Sequence, residues 1–259
     1  MNTLSIVFLG SCQTEFLATQ FKKISPPNTN IIPIVNWSYI QKKLPVPDEL
    51  WKADILIYQP YFGKNDFNTE NITKRLLDIN PKIKFISFAF CDFSLYTPNH
   101  TYHPKDQNSS KYPFRKFGNI PTPIIGGIDL NDMIDRMNNE IPLKNLIDDQ
   151  FKKLEERDSK CSIKISNFIY ENWRSKRLFH IREHPTNILM SYIAEQIMND
   201  LGWSQPLSLD RALDSSISII SPCYKKEFNL TFEIDQVKWY NGPSVSVEEY
   251  LKELSLTIF

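Results

Sequence analysis

The sequence predicts an α/β fold: a parallel sheet flanked by helices in three layers, followed by a mostly helical second half. Three observations predict it. Short apolar runs alternate with segments whose apolar residues recur at helical spacing, the order that builds βαβ units. The runs are continuously apolar, as suits strands covered on both faces. Pro and Gly punctuate the joints, and neither an internal repeat nor a sharp shift in composition divides the 259 residues, so a single domain over 1–259 is expected.

The first strand is Leu4 to Leu9, and Gly10 permits the tight turn that follows it. From Thr14 to Ile24, Leu17, Phe21 and Ile24 fall at i, i+4 and i+7, one stripe of an amphipathic helix. Pro26-Pro27-Asn28 breaks the chain before a second run, Ile31 to Val35, which Pro33 confines to a short or edge strand. Trp37 to Leu44 forms a brief helix ended by Pro45 and Pro47. Ala53 to Tyr58 is a third, stronger strand ending in Gln59-Pro60-Tyr61. Thr69 caps a helix bearing Ile72, Leu76 and Ile79, and Lys84 to Phe90 supplies a fourth strand ending at Cys91-Asp92.

Residues 96–123 are irregular and rich in Pro, Asn, Lys and aromatics, and a loop of this length is a lid, a binding loop or disordered. His100 and His103 within it form an H-x-x-H pair, but no carboxylate or cysteine cluster accompanies them and no metal site is expected. Asp129 caps a helix carrying Leu130, Met133, Ile134 and Met137. Pro142 opens another carrying Leu143, Ile147, Phe151 and Leu154. Glu155 to Lys160 reads as a charged connection, and Ile163 to Trp173 as a further helix. Asn187 to Leu201 is a long helix stopped by Gly202. Ser216 to Phe232 reads as two extended stretches around Pro222-Cys223, and Val245 to Leu254 as a closing helix.

Thirty basic residues balance thirty acidic ones, so overall charge gives no support to a nucleic-acid partner. The four cysteines are far apart with no C-x-x-C pair, which argues against structural zinc and a disulfide framework and for a reduced, cytoplasmic protein. No apolar run approaches the roughly 18 residues of a membrane span. Leu9-Gly10-Ser11-Cys12 resembles a lipidation box, but no Lys or Arg precedes the apolar run, which is also shorter than the roughly 7–15 residues of a signal's hydrophobic region.

The chemistry is expected to start at Cys12. A thiol in a helix's first turn meets unpaired N–H groups and the positive end of the helix dipole, both of which favour thiolate. A buried, inert cysteine is the competing reading. In a parallel sheet the strand ends share one rim, which would gather Cys12-Gln13, Gln59-Pro60 and Cys91-Asp92. The other dense patch is Arg177 to Thr186, with two arginines and two of the four histidines. Pro185 is expected in the first turn of the long helix, fixing His184 at its start as a base, so that Cys12 and His184 would form a nucleophile–base pair.

Gly10-Ser11-Cys12-Gln13, Gln59-Pro60 and the run Phe168 to Asn172, Arg177 to His180 and His184-Pro185-Thr186 resemble the WcbI family of capsular-polysaccharide biosynthesis enzymes. Ser11 stands where many relatives carry Asn, and His180 where a Tyr-Thr pair after Phe is frequent. The resemblance implies a Rossmann-like or SGNH-like three-layer fold, coenzyme A or acetyl-coenzyme A as co-substrate, and acetyl transfer to a sugar hydroxyl of a surface polysaccharide. Cys12 and His184 are then expected to carry the chemistry, with the N–H groups of Ser11 and Gln13 and the Gln13 amide as candidate donors to an oxyanion. Arg177, His180, Arg182, Lys111 and Arg115 are the candidates to hold the coenzyme, and Gln59, Tyr61 and Asp92 the candidates to meet the saccharide acceptor. A cysteine hydrolase on the same scaffold and a non-catalytic glycan-binding protein are the rivals. Stabilisation by coenzyme A separates the first rival, and function surviving loss of Cys12 and His184 the second.

Overall fold

The computed structural model describes residues 3–98, 100–102, 119–121, 130–139, 145–234, 236–238 and 242–258. In chain order it begins β1 (Leu4–Gly10), α1 (Cys12–Ile24), β2 (Thr29–Val35), α2 (Asn36–Gln41), β3 (Ile55–Tyr58), α3 (Thr69–Ile79) and β4 (Lys84–Ser87). An antiparallel pair follows, β5 (His100–Tyr102) with β6 (Asn119–Pro121), inside the stretch expected to be irregular. The remainder is α4 (Leu130–Asn138), α5 (Leu146–Asp158), α6 (Ser166–Asn172), β7 (Phe179–Ile181), β8 (His184–Pro185), α7 (Asn187–Leu201), α8 (Pro222–Glu227), β9 (Gln236–Lys238), β10 (Ser244–Ser246) and α9 (Val247–Ile258). His103, Lys111, Arg115, the caps Asp129 and Pro142, and most of the expected lid lie outside the described residues.

Two compact units result. One comprises Met1–Cys91, Lys152–Phe168 and Asn187–Arg211; the other comprises Asp92–Phe151, Ile169–Thr186 and Ala212–Phe259. No helix among the described residues is long and apolar enough to cross a membrane.

The first unit holds a parallel sheet in the order β2-β1-β3-β4. β1 lies at its centre, and alternation along that strand feeds two cores. Val7 and Leu9 join Leu56, Phe67, Ile72 and Leu76 on one face. On the other, the Phe8 ring meets Phe21 of α1 at 5.5 Å, and Phe21 meets Trp203 at 5.8 Å. Continuous apolarity in the sequence is therefore the mark of a strand buried on both sides. β2 is an edge, which tolerates Pro33 and its missing N–H. β4 ends at Ser87, shorter than the sequence suggests, and Phe88, whose N–H still donates to Tyr58 O of β3 (3.1 Å), forms an isolated parallel bridge to Ile163. That crossing is fixed by Ile163 N–H donating to Ser87 O (2.9 Å) and by paired Ser87–Ser162 bonds.

The cap of α3 is Asn68 and not Thr69. The Asn68 carboxamide oxygen accepts from Glu70 N (3.1 Å) and Asn71 N (3.3 Å), while the buried Thr69 hydroxyl exchanges bonds with the Tyr61 backbone. Asn68→Ala should therefore lower stability by about 1 kcal/mol. Urea denaturation measures it, and an unchanged midpoint would show that the cap contributes nothing.

In the second unit the core gathers around Phe93, stacked on Phe179 at 5.1 Å and edge-on to Tyr96, Phe151 and Trp173. The Tyr96 hydroxyl donates to Trp173 O (2.6 Å), and burial pushes its pKa above the ordinary range. Elsewhere in this unit Met133 and Met137 of α4 pack with Ile219, Val237, Tyr250 and Leu251. Pro222 opens α8 at its first position where an extended stretch was expected. The supposed connection Glu155 to Lys160 is largely helix, since α5 continues to Asp158. The helix expected over Ile163 to Trp173 is confined to α6, because the Asp158 carboxylate accepts from Ile165 N (2.8 Å) and Ser166 N (2.7 Å) and holds the chain before it.

Candidate active site

Cys12 is the first residue of α1, immediately beyond the end of the central strand, and is half-buried. Ser11 is the cap, its hydroxyl accepting from Gln13 N (3.2 Å). The turn is braced by amides. Gln59 Oε1 accepts from both the N–H (3.0 Å) and the hydroxyl (2.7 Å) of Ser11, while Gln59 Nε2 donates to Gln13 Oε1 (2.7 Å). The fully buried Gln13 carboxamide then closes a two-way bond with the Cys91 backbone, accepting from its N–H (3.0 Å) and donating to its carbonyl (2.9 Å). The ends of β1 and β3 and the segment beyond β4 are thereby tied into one buried network. Gly10 is the residue that lets it close, since a Cβ there would lie 2.8 Å from Gln59 Oε1 and 2.9 Å from Thr14 Cγ2.

Several of the expected site residues bond within the chain. The N–H groups of Ser11 and Gln13 and the Gln13 amide, expected to face an oxyanion, bond to Gln59, Ser11 and the Cys91 backbone and brace the Cys12 turn. Gln59, expected to meet the acceptor, is buried and belongs to the same brace. Tyr61 is half-buried against Gly63, where a Cβ would meet its hydroxyl oxygen at 2.1 Å, and that oxygen accepts from Asn65 Nδ2 (2.9 Å). What this unit presents at the turn is a cysteine thiol at a helix start, held by a rigid polar frame.

The second unit holds the other dense patch. His184 and Pro185 form β8, paired antiparallel with β7, and α7 begins only at Asn187. Pro185 therefore does not open the helix. It sits opposite Phe179, with Thr186 N–H donating to Leu178 O (2.8 Å) and the Thr186 hydroxyl to Arg177 O (3.0 Å). Arg177 turns inward: Nε donates to Phe179 O (3.1 Å) and Nη2 to Ser218 O (2.6 Å), so the fork expected to grip phosphate braces backbone carbonyls. Arg182 forms a bidentate pair with Asp92, Nη2 to Oδ2 at 3.0 Å and Nε to Oδ1 at 2.5 Å, which occupies a coenzyme candidate and an acceptor candidate with one another. Burial, helped by the neighbouring Arg177 charge, pushes the His180 imidazole down to about 4. Burial also lowers the pKa of His184. His184 is thus predominantly neutral at neutral pH and able to accept a proton.

One feature on the carboxyl side of the sheet has no counterpart in the sequence assignments. A cleft of about 610 Å³ opens between the segments after β3 and β4 and the end of α5, lined by Pro60, Phe62, Phe90, Lys153, Arg157 and Lys160 among others. Its signal in the sequence is Lys153, Arg157 and Lys160 at i, i+4 and i+7, the first two on α5 and the third just past its end, a pattern lost when Glu155 to Lys160 is taken as a connection. No group of His, Cys, Asp and Glu able to hold a metal occurs among the described residues.

A family model described as polysaccharide biosynthesis enzyme WcbI matches residues 5–206. A solved structure of WcbI, described as a novel polysaccharide biosynthesis enzyme in a native form without a disulfide bond between coenzyme A and one of its cysteines, is 19% identical. It superposes with a TM-score of 0.69 over 100% of this chain and 90% of that one. No curated protein matches the chain.

Proposed function

Because the chain belongs to the WcbI family of polysaccharide biosynthesis enzymes, we propose that it is a coenzyme A-dependent acyltransferase, acetyl being the expected group, acting on a sugar hydroxyl of a surface polysaccharide. The observation that carries this reading is Cys12 at the start of α1 on the carboxyl edge of the sheet, in a turn locked by Gln59 and Gln13. A thiol so placed is favoured as thiolate by the helix end and is preorganised, which is what a nucleophile towards a thioester requires. The description of the related solved structure, a native protein without a disulfide bond between coenzyme A and one of its cysteines, names the same ligand and residue type together and supports this reading.

In this reading the Cys12 thiolate attacks the acyl carbonyl of the donor, the donor's own acyl carbon–sulfur bond breaks to release the coenzyme as its thiolate, and Cys12 carries the acyl group as a thioester. The acceptor hydroxyl then gives up its proton to a base as its oxygen attacks the thioester carbonyl, and the carbon–sulfur bond to Cys12 breaks to return the thiolate. Coenzyme A supplies the activated acyl group. Among the coenzyme candidates, Arg177 and Arg182 bind within their own unit, so holding phosphate falls to other cations.

The test is ligand stabilisation. Coenzyme A at about a hundred times its dissociation constant should add about 2.7 kcal/mol to stability and raise the melting temperature. No shift at millimolar ligand would remove the acyltransferase reading. In parallel, iodoacetamide should alkylate Cys12 well below pH ~8.5, the ordinary thiol value. It should spare Cys161, whose thiol is pushed up to about 12 by burial and by the Asp158 charge. Equal rates at the two cysteines would show that the turn does not activate Cys12.

A further inference from the structure

We infer that a second cleft, on the α3 side of the sheet, is a seat for neutral saccharide units, where part of the acceptor chain rests while another of its units is modified. This rests on the acyltransferase reading and deepens it by naming where the rest of the acceptor lies.

The cleft holds about 490 Å³, in the range of small-molecule sites. Its walls come from the connection between α2 and β3, the segment between β3 and α3, and the first two turns of α3, all within the unit that carries Cys12. Val46, Trp51 and Ile72 also belong to the core that contains Val7 and Leu9, which sets the cleft against a face of the sheet. Asp48, Asp66 and Arg75 are exposed, and among the described residues neither carboxylate accepts a hydrogen bond and Arg75 forms no ion pair. Exposed charges are ordinarily only solvated. The placement of Arg75 exceeds that explanation. With two carboxylates in the same cleft, its guanidinium lies instead over the Trp51 ring, 3.9 Å from the centroid. A guanidinium held flat on an indole is preorganised, and stacking occupies its face while leaving the N–H donors along its edge.

The donors and acceptors select the ligand. Arg75 offers donors only, Asp48 and Asp66 acceptors only, and the Asn71 carboxamide both. An anion meets two carboxylates against one guanidinium, and a cation finds the ring face already taken by Arg75. Hydroxyl groups satisfy both sets, since they donate to the carboxylates and accept from the guanidinium. Pro45, Val46 and the Trp51 indole add apolar wall, which suits the C–H face of a pyranose. A neutral sugar is the ligand that uses every part.

Position adds to the case. Asn65, in the cleft wall, donates from Nδ2 to Tyr61 Oη (2.9 Å) and accepts at Oδ1 from Phe67 N (3.0 Å), which fixes the turn that carries Asp66. Earlier in the same segment Gln59 braces Ser11, the neighbour of Cys12. Chain reach alone keeps the wall at Asn65 within about 22 Å of that brace. Successive units of one polysaccharide chain bridge such an interval, so a chain seated here by one part is held near the Cys12 turn by another.

The experiment is saturation-transfer NMR titration of the full chain with glucose, maltopentaose, cellopentaose, N-acetylchitopentaose, pentagalacturonate and spermidine, for wild type, R75A, R75K and D48A/D66A. The altered residues are exposed, and an unchanged urea midpoint shows that each variant folds. The expected result is that at least one neutral pentaose binds wild type more tightly than glucose does. R75A and D48A/D66A should each weaken that pentaose by about tenfold or more, the scale of one hydrogen bond to a charged group. R75K, which keeps the charge and loses the planar fork, should not restore it. Coenzyme A should stabilise the variants as it does wild type. The saccharide seat would be overturned by no neutral pentaose binding at millimolar concentration, by binding that neither R75A nor D48A/D66A weakens, by pentagalacturonate binding as tightly as the neutral chains, or by spermidine taking the cleft in their place. With coenzyme A still stabilising the chain, the acyltransferase reading would survive each of these. A pentaose bound through these residues, with no stabilisation by coenzyme A, would keep the seat and remove the acyltransferase reading.

Discussion

Cys12→Ser should reduce acyl transfer by on the order of 10⁴-fold while leaving the fold intact, because a serine hydroxyl at a helix start stays protonated where a thiol ionises. Wild type mixed with the acyl donor and no acceptor should release one equivalent of coenzyme A in a burst, and Cys12→Ser none, which rapid-quench measurement of released thiol checks. Turnover by Cys12→Ser within tenfold of wild type would mean that the acceptor attacks the donor directly and that Cys12 only lines the site.

The second large effect is expected at Gln59. Its carboxamide serves Ser11 N, Ser11 Oγ and Gln13 Oε1 at once, in a place that is 3% accessible. Gln59→Leu keeps the volume but strands those groups away from water. Each unsatisfied group costs about 1–3 kcal/mol, so a loss of about 3 kcal/mol or more is expected. Urea denaturation should show a lower midpoint with an unchanged slope. Because the same bonds shape the Cys12 turn, the alkylation rate of Cys12 should fall towards that of an ordinary thiol. A variant as stable as wild type, with Cys12 equally reactive, would show that the brace is incidental.

How far the sequence carries can be judged at these positions. The placement of Cys12 is legible because everything it needs is local: an apolar run, a glycine, and a helical stripe beginning just after. The brace is not legible, since Gln13 bonds to residues 46 and 78 positions away, and nothing in a glutamine announces which backbone it will meet. Pro185 illustrates a different limit. A proline suits the first turn of a helix and an edge strand equally, and pairing with Phe179 decides in favour of the strand. The end of α5 is misread because a wholly polar stretch has no apolar stripe to follow, although Glu, Lys and Arg are good helix formers. Arg177 and Arg182 read as phosphate ligands because charge is visible in a sequence and its partners, carbonyls in one case and Asp92 in the other, are not.

The interleaving of the two units bears on how the chain is made. The path switches from one unit to the other five times, and neither is a continuous stretch. During synthesis β1 to β4 emerge early, whereas Asn187–Arg211, which includes the Trp203 that packs on Phe21, follows only after most of the intervening chain. At roughly 5–20 residues per second the apolar face bearing Phe21 waits on the order of ten seconds for its cover. The nascent sheet thus spends that interval with a sticky surface exposed, a window in which a chaperone would have the most to protect, and a chain released after Cys91 would have no route to close it.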